Sequence, residues 1–209
     1  MDKIVCVGKN YSEHAKELGD LVPEKPVIFI KPPSVLKQAF PNELLEVSLP
    51  GARGQVHHEC EIVLKIKKGG FNMSLHEAES AIGEVTLGLD MTLRDLQTKL
   101  KKSGSPWTVA KVFPDSAIIG PWIPIEQFKG YLETPFSFKV NGVTKQEGLV
   151  SEMTLSPKEC VAYISSQFPL CEGDIIFTGT PKGVGPVVPG DKAMLTFGSI
   201  EYGVVWHEF

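Results

Sequence analysis

Val56-His57-His58-Glu59-Cys60-Glu61-Ile62-Val63-Leu64 reads as a β-strand of divided character. Successive strand residues point to opposite faces, so Cys60, Ile62, Leu64 and Ile66 share an apolar face while Glu59 and Glu61 lie side by side on the other. Two like charges that close repel, and they need a cation, a shared proton or full solvation to coexist. The acidic face is therefore either the wet side of an antiparallel sheet or part of a cation site. Further along, Val85-Thr86-Leu87-Gly88-Leu89-Asp90 ends on a third carboxylate just before a helix, a strand-to-helix junction of the kind where ligands gather. Asp90 could equally serve only as a cap for that helix. Three carboxylates without a cysteine or paired-histidine ligand set make an all-oxygen site, which suits Mg²⁺, Mn²⁺ or Ca²⁺ better than zinc or copper. His57-His58-Glu59 does not have the His-Glu-x-x-His spacing of zinc proteases.

Around this stretch, 16 prolines and 20 glycines punctuate short segments rich in Val, Ile, Phe and Thr. Strands are expected near 3–7, 27–31, 56–66, 83–91, 117–122, 135–141, 174–178, 192–198 and 201–208. Helices are fewer and show by their caps. Asn10 with Glu13 marks a start for Tyr11 to Leu18, with Gly19 as the stop, and Ser74 with Glu77 forms a capping box for a helix to about Ile82. Thr92 with Asp95 opens Leu93 to Ser103, and Ser156 precedes Pro157 to Phe168. Asn141-Gly142 and the residues around 196–204 read as hairpin turns. The expectation is an α+β, predominantly β chain forming a single domain over 1–209. Its first 50 or so residues, richer in Pro and Lys, could form a small layer or lid.

Composition excludes several classes of function. The 209 residues carry 21 basic and 25 acidic side chains, for a net charge of −4, and the basic ones are dispersed. No stripe exists to neutralise the phosphates of a nucleic acid. The four cysteines (Cys6, Cys60, Cys160, Cys171) form no Cys-x-x-Cys pair, so a zinc ribbon or redox dithiol lacks its ligand spacing and a reducing cytosol fits best. No apolar run approaches the roughly 20 residues of a membrane helix, and the N-terminus lacks a signal-peptide pattern. A cytoplasmic location is expected.

Other residues carry chemistry less specifically. His14 and Glu17, three apart on the expected N-terminal helix, share a face, so that the carboxylate could orient the imidazole as a general base; an exposed surface pair is the alternative. Lys111 lies in apolar Trp107-Thr108-Val109-Ala110-Lys111-Val112-Phe113. There it needs a charged partner if buried, or it snorkels from a strand edge. The loop Thr178 to Pro186 offers backbone amides and hydroxyls at a strand end, and is not a P-loop.

Taken together, Gly8 to His14, Phe29-Ile30-Lys31-Pro32, His57 to Glu61, Leu89-Asp90 to Gln97, Pro106 to Lys111 and Gly173-Asp174 onward through Thr180 to Gly185 resemble the fumarylacetoacetate hydrolase family, and more narrowly its acylpyruvase and oxaloacetate-processing branch. The resemblance implies mixed β-sheets rolled around the active site and a homodimer. It also implies Mg²⁺ or Mn²⁺, with Ca²⁺ as a substitute in crystals, on the positions of Glu59, Glu61 and Asp90, and a helical lid near 10–19 bearing His14 and Glu17. Lys111 matches the family's active-site lysine, and Arg94, Gln97 and Thr180 match positions near the substrate. The implied activity is hydrolysis of the C–C bond of acylpyruvates through a metal-bound enolate, with water activated by His14 and Glu17. The same site would also suit oxaloacetate enol–keto tautomerisation or decarboxylation. A non-catalytic protein merely stabilised by metal is the rival reading.

Overall fold

The computed structural model describes residues 1–11, 26–41 and 43–208. Along the chain come β1 (Ile4–Gly8), β2 (Val27–Lys31), β3 (Leu36–Gln38), β4 (Leu44–Leu49), β5 (Val56–His58) and β6 (Cys60–Ile66). Helix α1 (Leu75–Ala81) leads into β7 (Ile82–Asp90) and β8 (Thr92–Leu93), followed by α2 (Arg94–Ser103) and α3 (Thr108–Lys111). The rest is β9 (Ala117–Ile119), β10 (Ile123–Pro124), β11 (Phe136–Val140), β12 (Val143–Gly148), α4 (Pro157–Gln167), β13 (Ile175–Phe177), β14 (Gly185–Val187), β15 (Lys192–Phe197) and β16 (Ile200–Glu208).

Among the described residues the strands sort into three sheets. The large one runs β2-β1-β13-β6-β7-β9-β3, with β10 also on β7; the second runs β12-β11-β15-β16-β4, and the third β14-β5-β8. β1 with β13, β3 with β9 and β16 with β4 are parallel pairs in otherwise antiparallel surroundings. The first 50 residues thus place β1, β2 and β3 in the large sheet and β4 at the edge of the second.

Strand β6 is covered on both faces. Ile62 and Leu64 pack into a core shared with Phe138, Leu195, Tyr202 and Trp206 of the second sheet, while Val63 on the opposite face joins Ile4, Ile119 and Phe177. Burial of each such side chain contributes about 1.5–3 kcal/mol. A wet face on this strand is therefore excluded, and Glu61 is 2% exposed.

Several expected elements hold with adjusted ends. Ser74 and Glu77 form the capping box of α1, with the Ser74 N–H donating to the Glu77 carboxylate at 2.8 Å. The Ser156 N–H does the same to Glu159 at the start of α4. Asn141 (φ 49°) and Gly142 (φ 79°) make the β11–β12 turn, the doubly left-handed conformation that suits a two-residue hairpin. The strand expected over 56–66 is interrupted at Glu59, and that over 117–122 shortens to β9 with β10 following. Thr92 does not cap α2. Leu93 occupies the cap position without a side-chain bond, and Thr92 pairs with His57 in β8. The expected helix from Tyr11 to Leu18 lies beyond Tyr11 outside the described residues.

The parallel β1–β13 pair is pinned by one carboxylate. Buried Asp174 accepts from the Asp2, Lys3 and Cys171 N–H groups and is 2.8 Å from the Lys3 ammonium. Burial alone would raise its pKa, but the Lys3 ammonium and these N–H groups hold it below its usual 3.8. A lowered folded-state pKa contributes stability that is present above the unfolded value and is lost as pH falls through the folded one. Asp174→Asn should lower stability by about 2 kcal/mol at neutral pH. In denaturant titrations, wild type should lose this advantage as pH falls below about 4, so that the two proteins converge.

Candidate active site

The gap between β5 and β6 sets the site. Glu59 fills it, its carbonyl accepting the Asp90 N–H at 2.9 Å, so the last residue of β7 faces the residue that breaks the neighbouring strand. Glu61 follows two positions later on the same face. Carboxylate oxygens of Glu59, Glu61 and Asp90 lie within 4.8 Å of one another, and the three residues are 6%, 2% and 1% exposed.

Burying three anions is prohibitive unless they are paired and hydrogen-bonded. Three cations converge on them from separate elements. Lys111, ending α3, donates at 2.7 Å to each of Glu59, Asp90 and the Thr92 hydroxyl. Lys31, ending β2 and wholly buried, lies 2.5 Å from Asp90 Oδ1 and donates to the carbonyls of Met91 (3.2 Å) and Ser116 (2.6 Å). Arg94, opening α2, pairs with Glu59 and donates to Gln97 Oε1 at 2.7 Å. Asp90 is thus an ion-pair partner rather than a helix cap, and Lys111 does not snorkel. The Phe29 ring covers Lys111, its centroid 4.9 Å from Nζ.

The electrostatics follow. Burial works against the charge on Lys111, but Asp90 and Glu59 outweigh it and raise its pKa. The Glu61 pKa is pushed well above the carboxylate range, by burial first and then by Asp90 and Glu59; the Gly179 N–H at 2.6 Å opposes this. Among the described residues Glu61 receives that single hydrogen bond and no ion pair. Asp90 Oδ1, though touched by Lys31, is buried without a hydrogen-bond partner. A carboxyl strained toward its neutral form beside an oxygen with lone pairs to spare fits a hard divalent cation, which ligates through oxygen and favours the ionised carboxylate.

Glu59, Glu61, Asp90, Arg94, Gln97, Lys111 and Thr180 all line one cavity, together with Phe29, Trp107, Lys9 and Lys101. Arg94 Nε is buried there and has no hydrogen-bond partner among the described residues, a donor that suits an anionic ligand. His14 and Glu17 lie outside the described residues. Three residues that sequence reasoning did not place in the site belong to this construction. Lys31 is one, and its signal was a lysine closing an apolar strand. Asn10 is another. Its side chain donates to the Leu155 and Thr178 carbonyls at 2.9 and 2.8 Å and accepts from Leu155 N–H at 2.7 Å. Buried Gln146 is the third, with no signal in its own hairpin strand, and it touches His58, Cys60 and Thr180. His58 itself is buried, and burial brings its imidazole down to about 4, so it is neutral at physiological pH.

A family model described as fumarylacetoacetate (FAA) hydrolase C-terminal matches residues 3–204. An oxaloacetate tautomerase of Escherichia coli (strain K12) is 40% identical over 198 residues, 94% of this chain and 89% of that protein. A mitochondrial oxaloacetate decarboxylase of Dictyostelium discoideum is 40% identical over 190 residues, 90% of this chain and 85% of that one. The crystal structure of fumarylpyruvate hydrolase from Pseudomonas aeruginosa, in complex with Mn²⁺ and pyruvate, superposes with a TM-score of 0.95 at 36% identity, covering 100% of this chain and 91% of that one.

Removing the shared cation should expose the repulsion it offsets. Lys111→Met leaves Glu59 and Asp90 buried without it and should cost about 3–5 kcal/mol in chelator. Thermal melts should show Mn²⁺ raising the midpoint of the variant more than that of wild type; equal shifts would remove Lys111 from the charge balance of the site.

Proposed function

Because the chain belongs to the fumarylacetoacetate hydrolase family, we propose that it is a divalent-metal-dependent enzyme of small 2-oxo acids whose leading reaction is the enol–keto tautomerisation of oxaloacetate. The observation that carries this reading is the buried triad Glu59, Glu61 and Asp90, in which Lys31, Lys111 and Arg94 pair with Glu59 and Asp90 and leave Glu61 without an ion pair among the described residues. Glu59, Glu61 and Asp90 would hold Mg²⁺ or Mn²⁺, which supplies Lewis-acid stabilisation of charge developing on a 2-oxo acid. With Lys9 and Lys101 also lining the cavity beside Arg94 and Lys111, a bound dication makes the site strongly positive, which suits an anionic substrate.

The chain's own residues supply the rest. Arg94, with its unpaired Nε, binds a substrate carboxylate through charge-assisted hydrogen bonds. Lys111, held as an ammonium by its carboxylate neighbours and with its three protons on Glu59, Asp90 and Thr92, stabilises negative charge building in the cavity through its positive field. Phe29 and Trp107 wall the cavity against bulk water. Proton transfer between carbon and oxygen falls to His14 and Glu17, the acid–base pair that the sequence provides. Thr180 and Gln97 complete the substrate contacts.

The fumarylpyruvate hydrolase likeness favours C–C hydrolysis of acylpyruvates as a second reading, since pyruvate is the product that such cleavage releases. Decarboxylation of oxaloacetate is a third outcome on the same site, the activity named for the Dictyostelium relative. We further read the chain as one catalytic domain over 1–209, working as a cytoplasmic homodimer. In support, the described cysteines are free thiols, and no helix among the described residues is long and apolar enough to cross a membrane.

Chelator-stripped protein with and without Mg²⁺ or Mn²⁺ should be followed for ultraviolet decay of enol-oxaloacetate and, separately, for pyruvate release from acetylpyruvate. Rapid metal-dependent enol loss with little pyruvate is expected; dominant cleavage would reverse the order, and silence in both would leave a non-catalytic protein. His14→Ala should abolish turnover with the fold intact. Glu59→Gln should weaken metal affinity, and an unaltered titration would remove Glu59 from the ligand set.

A further inference from the structure

Gln146 lies on β12, in the second sheet, and does not line the active-site cavity, yet its buried amide uses all four of its hydrogen-bonding positions on groups that frame that cavity. Oε1 accepts the Cys60 N–H at 3.0 Å and the His58 Nδ1–H at 2.8 Å. Nε2 donates to the Thr180 hydroxyl at 2.7 Å and to the Pro181 carbonyl at 2.9 Å. The orientation is unambiguous, because a backbone N–H can only donate and a carbonyl can only accept. One side of the amide therefore holds the two residues flanking Glu59, and the other holds the loop after β13.

That loop reaches Glu61. The Thr178 hydroxyl donates to the Ile62 carbonyl at 2.8 Å and the Thr180 hydroxyl to the Cys60 carbonyl at 2.8 Å, and between them the Gly179 N–H donates to Glu61 at 2.6 Å. Gly179 sits at φ 102°, and a Cβ there would meet Asn10 Cβ at 2.8 Å, so only glycine fits at this point of the loop. The Thr180 hydroxyl gives its one proton to the Cys60 carbonyl and accepts from Gln146, which leaves it one lone pair.

We infer that Gln146 is a positioning residue for the carboxylate centre: by clamping the Thr178–Pro181 loop to the strands on either side of Glu59 it keeps the Gly179 N–H on Glu61, and thereby sets the affinity for the divalent ion. This rests on the reading of Glu59, Glu61 and Asp90 as the metal site. Groups of this kind, which orient ligands without touching the ion, are worth 10–100-fold in metal affinity.

Two substitutions separate the arms of the clamp. Gln146→Leu strips all four bonds. Gln146→Glu keeps the shape and the accepted bonds and turns an acceptor oxygen toward the loop in place of the two donated bonds, leaving at most one of them if the buried carboxyl is protonated; it decides the matter if Gln146→Leu fails to fold. Ser165→Ala is the control for general destabilisation, because Ser165 is a buried hydroxyl in α4, bonded to Met73 N–H and the Ala162 carbonyl and remote from the centre in its bonding. Mn²⁺ binding to chelator-stripped full-length protein is measured by calorimetry, with Glu61→Gln as the reference for losing a ligand. The expected result is at least a tenfold loss of affinity in Gln146→Glu, with Ser165→Ala within twofold of wild type. Wild-type affinity in Gln146→Glu beside a weakened Glu61→Gln would overturn the role of Gln146, as would an equal loss in Ser165→Ala. Unchanged binding in Glu61→Gln would instead sink the metal-site reading, and this inference with it.

Discussion

Three carboxylates sit almost dry at the end of a sheet whose central strand is covered on both faces, and this constraint organises what surrounds them. An isolated buried anion costs several kcal/mol even after relaxation, so the fold has to deliver cations to fixed points. It does so from the end of β2 with Lys31, the start of α2 with Arg94 and the end of α3 with Lys111. Each cation terminates or initiates its element, so that the charged head sits at the element's end, against the acids. The short helix α3 makes sense in this light. Its four residues bury only Ala110 and Lys111, and the second of these donates to two of the acids.

The strand break at Glu59 is the complementary device. Continuous pairing from Val56 to Ile66 would hold the chain in one sheet; instead β5 leaves to pair with β8 and β14 while β6 pairs with β7 and β13. Glu59 stands at the parting, so its side chain is free of the ladder and turned to Asp90 and Arg94. The loop after β13 closes the remaining side through glycine and threonine, and the second sheet bonds to it through Gln146.

Legibility in the sequence followed the range of the interactions. Glu59, Glu61 and Asp90 were visible because alternation in a strand and a strand-end carboxylate are local patterns, and the Asn141-Gly142 turn because its conformation demands those residue types. The two solvent readings, a wet acidic face and a snorkelling lysine, fell to long-range packing. Val63 meets β1 and β13 on the face that carries the acids, which no window around residue 60 reveals. Thr92 misled as a helix start because its hydroxyl is committed elsewhere, donating to the Asp90 carbonyl and accepting from Lys111. Lys31 and Gln146 went without roles for the same reason, being separated by 59 and 34 positions from Asp90 and Thr180, the partners that give them meaning. The family resemblance, by contrast, rested on several motifs in one order, and it pointed to Arg94, Gln97 and Thr180, which line the cavity with the acids and whose local sequence says little.

The pairing at the centre bears on how such a pocket is held together. An acidic pocket built from carboxylates alone would depend for its cohesion on whatever cation entered it. Here Lys31, Lys111 and Arg94 already lie against Glu59 and Asp90, so the scaffold around the acids is supplied by the chain itself, from three elements far apart in sequence.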